Sequence, residues 1–231
     1  MSAFINALTT GAFPVIAELK PRSAAGEELV GTRAPADIAR AYLDAGAACL
    51  SVVTGRWFGG DPAMLAEITR LSPVPVLRKD FLTRDKQLVA SLELGASAVL
   101  LTATLLPAAV LATLVGRALA LGLTPFVEVV DEAEIERVPN AADCVIAVNN
   151  KDIRDRERGP ADLGRSTRLL SPALARGTRC PVSASGIETP EQAARLIDAG
   201  YAGVLVGTGL LRAHSPAHWF ADLAAARKER L

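Results

Sequence analysis

Eight short apolar runs alternate with eight segments of helical spacing, and this alternation constrains the fold of the 231-residue chain more than any other feature. The runs are VIAELK at 15–20, CLSVVTG at 49–55, VPVLRKD at 74–80, AVLLTA at 98–103, PFVEVVD at 125–131, CVIAVNN at 144–150, CPVSASG at 180–186 and GVLVGTG at 203–209. Each is nearly continuous in its apolar character, as expected of parallel strands covered by helices on their outer face. Between them lie stretches such as PADIARAYLDAG, RDKQLVASLELG, PAAVLATLVGRALALG and TPEQAARLIDAG, several opening at Pro or Thr-Pro and closing at Gly. Eight strand–helix repeats select a (β/α)8 barrel, an α/β fold, and the length suits one such barrel over residues 1–231. A doubly wound sheet is the structural rival, but no Gly-x-Gly-x-x-Gly turn follows the first run.

Polar residues collect where these runs end. Glu18 and Lys20 close the first, Lys79 the third, Glu128 lies in the fifth and Asn149 closes the sixth. All strand C-termini of a barrel open onto one face, so functional side chains placed there converge on one site, and the chain reads as an enzyme. Glu18 and Lys20, two apart in a strand, face the same side. A structural ion-pair cluster is the bland alternative. Four ionisable groups at the ends of three apolar strands are costly to bury without a functional return, which favours the catalytic reading. The long first loop, PRSAAGEELVGTRAP from Pro21 to Pro35, is expected to lie over this face. A second loop, from Asn150 to Gly159, is heavily charged and reads as a solvated turn.

The C-terminal third carries a phosphate signature. Ser185 and Gly186 end the seventh run, and Gly207, Thr208 and Gly209 end the eighth just before a short helical stretch. Loops after strands 7 and 8, with a small helix start, form the recurrent phosphate site of such barrels, where backbone N–H groups and the hydroxyls of Ser185 and Thr208 can donate. Lysines plus arginines number 25, as do aspartates plus glutamates, so charge excess points neither to nucleic acid nor to an anionic membrane. The ligand is expected to be a small phosphorylated molecule held by local chemistry.

No basic leader precedes the first apolar residues and no stretch reaches the roughly 18 apolar residues of a membrane span, so a cytoplasmic protein is expected. Cys49, Cys144 and Cys180 have neither ligand spacing nor an even count and read as buried thiols. His214 and His218 lie away from the strand ends and read as surface or capping residues; Trp219 and Phe220 read as the packing face of the last helix. Nothing offers His, Cys and carboxylate at metal-ligand spacing.

Blocks along nearly the whole chain, AELKPRS, LSVVTGRWFGGD, PVLRKDF, LGASAVLL, FVEV, AVNNKDI, SASGI and LVGTGLLR, are similar in order to those of the indole-3-glycerol phosphate synthase family. The resemblance implies a substrate of anthranilate joined to a ring-opened deoxyribulose phosphate, closed to indole-3-glycerol phosphate with loss of carbon dioxide and water, in tryptophan biosynthesis and without a cofactor. Closure places negative charge on a ketone oxygen and positive charge on the anilino nitrogen, which calls for an acid by the carbonyl and carboxylates near the amine. By resemblance Lys79 is that acid, Glu128 a base or cation stabiliser, and Lys20 with Glu18 serve the dehydration, with the division between the two lysines left open. Asn149 either caps a turn or, beside Lys151, orients the anthranilate end, with Lys151 offering charge to the carboxylate; by resemblance Ser23 would join the phosphate ligands, and Phe58, Phe81 and Leu100 would line an aromatic slot, although each also reads as core, Leu100 above all.

Departures from the family pattern are equally legible. Ala184 stands where the seventh strand normally ends in glutamate; if that residue transfers a proton, its loss costs about 10²- to 10⁴-fold in rate. Lys151 replaces a usual arginine, and Ser23-Ala24-Ala25 replaces Ser-Pro-Ser, which weakens the transfer of Ser23. With 17 residues ahead of Glu18, a longer N-terminal extension usual in the family is lacking and a more open barrel mouth is expected. Two other readings follow: a weakened paralogue that binds a sugar phosphate for regulation or complex formation, and a sister phosphate barrel such as phosphoribosylanthranilate isomerase or the tryptophan synthase α chain. The sister barrels do not account for Glu18 with Lys20 and Arg78-Lys79-Asp80-Phe81. A monomer or weak homodimer is expected.

Overall fold

The computed structural model describes residues 2–155 and 159–228; the centre of the charged loop, 156–158, lies outside the described residues. Eight strands, β1 (Val15–Leu19), β2 (Cys49–Val53), β3 (Val76–Lys79), β4 (Ala98–Thr102), β5 (Thr124–Val129), β6 (Val145–Asn149), β7 (Cys180–Ala184) and β8 (Gly203–Val206), pair in parallel and in sequence order, and β8 returns to β1. The closed ring excludes the doubly wound alternative. Each strand coincides with one apolar run of the sequence, and the polar residues of those runs fall at or just beyond the strand C-termini.

Period-two alternation sorts the strand side chains into two cores. One set points inward: Ile16, Cys49, Leu77, Ala98, Leu100, Phe126, Val145, Ala147, Cys180, Val182, Ala184 and Leu205 form a single buried cluster. The alternate set, including Val15, Leu50, Val76, Leu101, Val127 and Ile146, packs against the surrounding helices. Because registers such as Ile16 with Cys49, Leu100 with Phe126 and Ala184 with Leu205 keep one parity round the ring, Glu18, Lys79, Glu128 and Asn149 continue the inward set one layer above.

The N-terminal helix α1 (Ala3–Thr10) is not anticipated by the sequence reading. It caps the ring at the strand N-termini, inserting Phe4, Ile5 and Leu8 into the inward cluster, with Phe4 edge-on to Phe126. The segment before β1 thus plugs the end of the barrel opposite the polar strand termini.

Around the ring lie α2 (Pro35–Asp44), α3 (Pro62–Leu71), α4 (Asp85–Glu93), α5 (Ala108–Ala120), the short α6 (Glu132–Glu136), α7 (Leu163–Ala175) and α8 (Pro190–Asp198). Two of the Pro starts carry side-chain caps: Pro62 follows the N-cap Asp61, which accepts from Ala63 N at 2.8 Å, and Thr189 forms a capping box with Gln192 ahead of Pro190. A five-residue α9 (Thr208–Arg212) follows β8, and α10 (Pro216–Lys228) closes the chain over α8 with Trp219 and Phe220 buried. His214 and His218 are exposed, His218 lying 3.5 Å from Asp222. All three cysteines are free and buried.

Candidate active site

A cavity of about 320 Å³ opens at the C-terminal ends of the strands. Among its lining residues are Glu18, Lys20, Ser23, Phe58, Lys79, Phe81, Leu100, Lys151, Ser185, Gly186, Gly207 and Thr208. Two residues singled out in the sequence, Glu128 and Asn149, are buried behind that lining.

Lysines and carboxylates alternate along one side of the floor. Lys20 Nζ lies 3.3 Å from Glu18 Oε1, Glu18 Oε2 lies 3.9 Å from Lys79 Nζ, and Lys79 Nζ lies 3.8 Å from Glu128 Oε2. Glu18 therefore reaches both lysines, one through each oxygen. The carboxylates are 3% and 1% exposed; Glu18 lines the cavity with both lysines, and Glu128 sits behind that lining. Lys20 also stands 5.8 Å from the centroid of the Phe58 ring, which lines the same cavity.

The Arg-Lys-Asp-Phe sequence is explained by what surrounds Lys79. Arg78 is buried and donates through Nε to Thr54 Oγ1 at 3.1 Å and through a terminal nitrogen to Ser91 Oγ at 3.1 Å, while its other nitrogen lies 3.4 Å from Asp80 Oδ2. Asp80 accepts from Thr54 Oγ1 at 2.8 Å and from Phe81 N at 2.9 Å. Alternate residues thus do different work: Arg78 and Asp80 lock the end of β3 to β2 and α4, and Lys79 and Phe81 are delivered to the cavity.

On the opposite side, Asn149 Oδ1 accepts from the backbone N–H of Lys151 at 2.9 Å, and Arg165 donates to the carbonyls of Asn149 at 2.6 Å and Lys151 at 3.0 Å. Asn149 shapes the turn that carries Lys151 to the cavity. The residues expected to bind phosphate also line the cavity: Ser185 and Gly186 adopt left-handed backbone, with φ of +66° and +72°, Gly207 precedes α9, and Thr208 is its first residue. Ser23 lines the same cavity from the first loop, its Oγ accepting from Glu27 N at 3.1 Å. That loop is a small hairpin, with Arg22 bridged to Glu28 and Glu27 ion-paired to Arg212 of α9.

Leu100 is both core and lining, 1% exposed in the inward cluster and at the cavity floor. Ala184 is wholly buried with the same cluster, so the end of β7 supplies no carboxylate. The sequence reading missed Arg56, Trp57, Glu27, Glu188 and Arg212, which also line the cavity. All come from loops, the single 3-10 turn at Arg56–Phe58 or the short α9, where no periodicity reports which way a side chain points. Among the described residues, no group of three or more His, Cys, Asp or Glu side chains is placed to hold a metal ion.

A closed ring of eight parallel strands, with ionisable side chains and a phosphate-type turn gathered at the strand C-termini, defines a phosphate-binding (β/α)8-barrel enzyme. The family model for indole-3-glycerol phosphate synthase matches residues 1–223, and the chain belongs to that family. It is 40% identical over 215 residues to indole-3-glycerol phosphate synthase 2 of Streptomyces coelicolor, covering 92% of this chain and 81% of that one. It is 37% identical over 225 residues to the indole-3-glycerol phosphate synthase of Polaromonas naphthalenivorans, covering 95% and 84%. Among solved structures, 3-hexulose-6-phosphate synthase from Salmonella typhimurium superposes with a TM-score of 0.71 over 94% of this chain and 99% of that one; at 14% identity the likeness concerns the fold alone.

Proposed function

We propose that the chain closes 1-(2-carboxyphenylamino)-1-deoxyribulose 5-phosphate to indole-3-glycerol phosphate, releasing carbon dioxide and water. The observation that carries this reading is the Lys20–Glu18–Lys79–Glu128 series on the floor of a cavity that Ser185, Gly186, Gly207 and Thr208 also line. A phosphate binder alone has no use for acids and bases at the far end of its ligand.

In this reading the phosphate sits on the two turns after β7 and β8, and the aromatic ring lies among Phe58, Phe81 and Leu100 with its carboxylate toward Lys151. Lys79 protonates the ketone oxygen as the ring carbon that bears the carboxylate attacks the carbonyl carbon. Glu128 balances the positive charge that develops on the anilino nitrogen. Carbon dioxide then leaves. Lys20 protonates the departing hydroxyl and Glu18 removes the proton that completes the indole. With Ala184 at the end of β7, that removal falls to Glu18, the carboxylate in contact with both lysines.

The reading needs one chain only, since every group named belongs to it, and fits a monomer or weak homodimer. Three free cysteines accord with a reducing, cytoplasmic compartment. Among the described residues no helix is long and apolar enough to cross a membrane.

Indole fluorescence tests the proposal: the purified chain should turn the substrate over, and Lys79→Ala should lose at least about 10²-fold in kcat while still binding it. Ala184 favours one second reading, a paralogue that binds the sugar phosphate without chemistry; binding with no turnover by the wild-type chain would select it. Neither binding nor turnover would point to a different phosphorylated substrate.

A further inference from the structure

We infer that Asn150, which does not itself line the cavity, is the positioning residue of the phosphate-binding turn, and that the two asparagines at and just after the end of β6 serve opposite ends of the ligand. The inference rests on the phosphate assignment above and extends it to a residue outside the lining.

Asn150 is wholly buried one residue beyond β6, and its polar atoms are committed to β7, the turn that follows it, and the α7 region. Its Nδ2 reaches three acceptors: Ser183 Oγ at 3.1 Å, Ala184 O at 3.0 Å and Ser185 O at 3.1 Å. An amide has two N–H bonds, so at least one is shared. Its Oδ1 accepts from Ser166 Oγ at 2.7 Å, and Ser166 Oγ lies 2.7 Å from Ser183 Oγ. Its backbone N–H donates to Ala184 O at 2.9 Å, and its carbonyl accepts from Asp162 N at 2.8 Å. Tyr201 OH anchors the far side through Ser166 O at 2.8 Å.

What this network grips is a piece of backbone that does not hold its shape unaided. Ser185 carries a side chain yet has φ of +66°, and Gly186 follows at +72°. A left-handed serine persists only where its surroundings over-determine it. Here the carbonyls before and at Ser185 are both fixed by the Asn150 amide, and a Cβ on Gly186 would stand 2.2 Å from Ala161 Cβ. Held so, Ser185 and Gly186 line the cavity.

The neighbouring residues have a separate support. Arg165 and Asn149 Oδ1 fix the turn bearing Lys151, on the anthranilate side, without using the Asn150 side chain. Loss of the Asn150 amide therefore loosens one end of the site and spares the other. A general structural defect would loosen both.

Calorimetric titration with inorganic phosphate and, separately, with anthranilate distinguishes these outcomes. Asn150→Ala should bind phosphate about 10-fold or more weakly and anthranilate within about 2-fold of wild type, with the wild-type circular dichroism spectrum. Should that variant not fold, Ser166→Ala, which keeps the Asn150 amide and removes the hydroxyl shared by Asn150 Oδ1 and Ser183 Oγ, carries the test with a phosphate loss of about 3-fold. Unchanged phosphate affinity in a folded Asn150→Ala chain, or equal loss of both ligands, overturns the inference. A wild-type chain that binds no phosphate overturns it together with the assignment beneath it. Selective phosphate loss in a chain whose wild type binds phosphate but makes no indole product supports it while removing the reaction proposed above.

Discussion

Glu18 owes its position partly to a residue without a side chain. A Cβ on Gly207 would stand 2.6 Å from Glu18 Oε1, the oxygen that pairs with Lys20. That oxygen is the far end of a flexible side chain, so Gly207→Ala is expected to fold normally, within about 2 °C of the wild-type melting temperature, with the carboxylate pushed aside. With Glu18 in the proton-transfer role proposed above, misplacing it by about 1 Å costs on the order of 10²-fold, so kcat should fall by roughly that factor. Gly60→Ala is the contrasting control: its Cβ would lie 2.3 Å from the backbone oxygen of Val53, and destabilisation should dominate there. A Gly207→Ala variant with full kcat would show that Glu18 need not sit where it does. Residues of this kind mark how far the sequence can be read. Glu18, Lys20 and Lys79 stand out as charges closing apolar runs, whereas Asn150 looks like any turn asparagine, and only the approach of β7 reveals its three acceptors.

At the scale of elements the strands were legible and the N-terminal helix was not. An apolar run bounded by polar residues and followed by helical spacing reports a covered parallel strand directly, and the ends of the eight runs fall close to the strand ends in the structure. The segment AFINALTT carries too few turns to show a period, and the plug it forms depends on a ring that exists only after closure. Its role is structural. Phe4 is wholly buried against Phe126, at the end of the barrel away from Lys79 and Glu128. Phe4→Ala should cost about 3–5 kcal/mol, the usual range for a buried phenylalanine. In a chain of this length that corresponds to a drop in melting temperature of roughly 6–20 °C. At 25 °C, kcat should be unchanged in the fraction that remains folded. A comparable fall in kcat without loss of stability would mean that α1 communicates with the site.

Across the whole molecule, the equal numbers of positive and negative residues leave attraction of an anionic substrate to local groups, and those groups lie at the seam of the ring. The turns proposed to hold the phosphate follow β7 and β8, β8 pairs with β1, and the loop after β1 brings Ser23 to the same cavity. A phosphate bound there spans the last strands and the first, so it should favour the closed barrel over any state in which the seam has opened. Mass action sets the size of the effect: inorganic phosphate at a hundred times its dissociation constant contributes about 2.7 kcal/mol. For a chain of this size that raises the melting temperature by roughly 5–11 °C. Sodium chloride of equal ionic strength should not reproduce the shift, because the charge that matters is held by directed donors and not by a net potential. Replacing both Ser185 and Thr208 by alanine should remove two of those donors and cut the shift to less than about half of the wild-type value, a difference read directly by scanning calorimetry. An undiminished shift in the double variant would place the phosphate elsewhere on the molecule and detach the seam from the site; a shift lost in step with substrate affinity would tie ring closure and ligand binding to the same two turns.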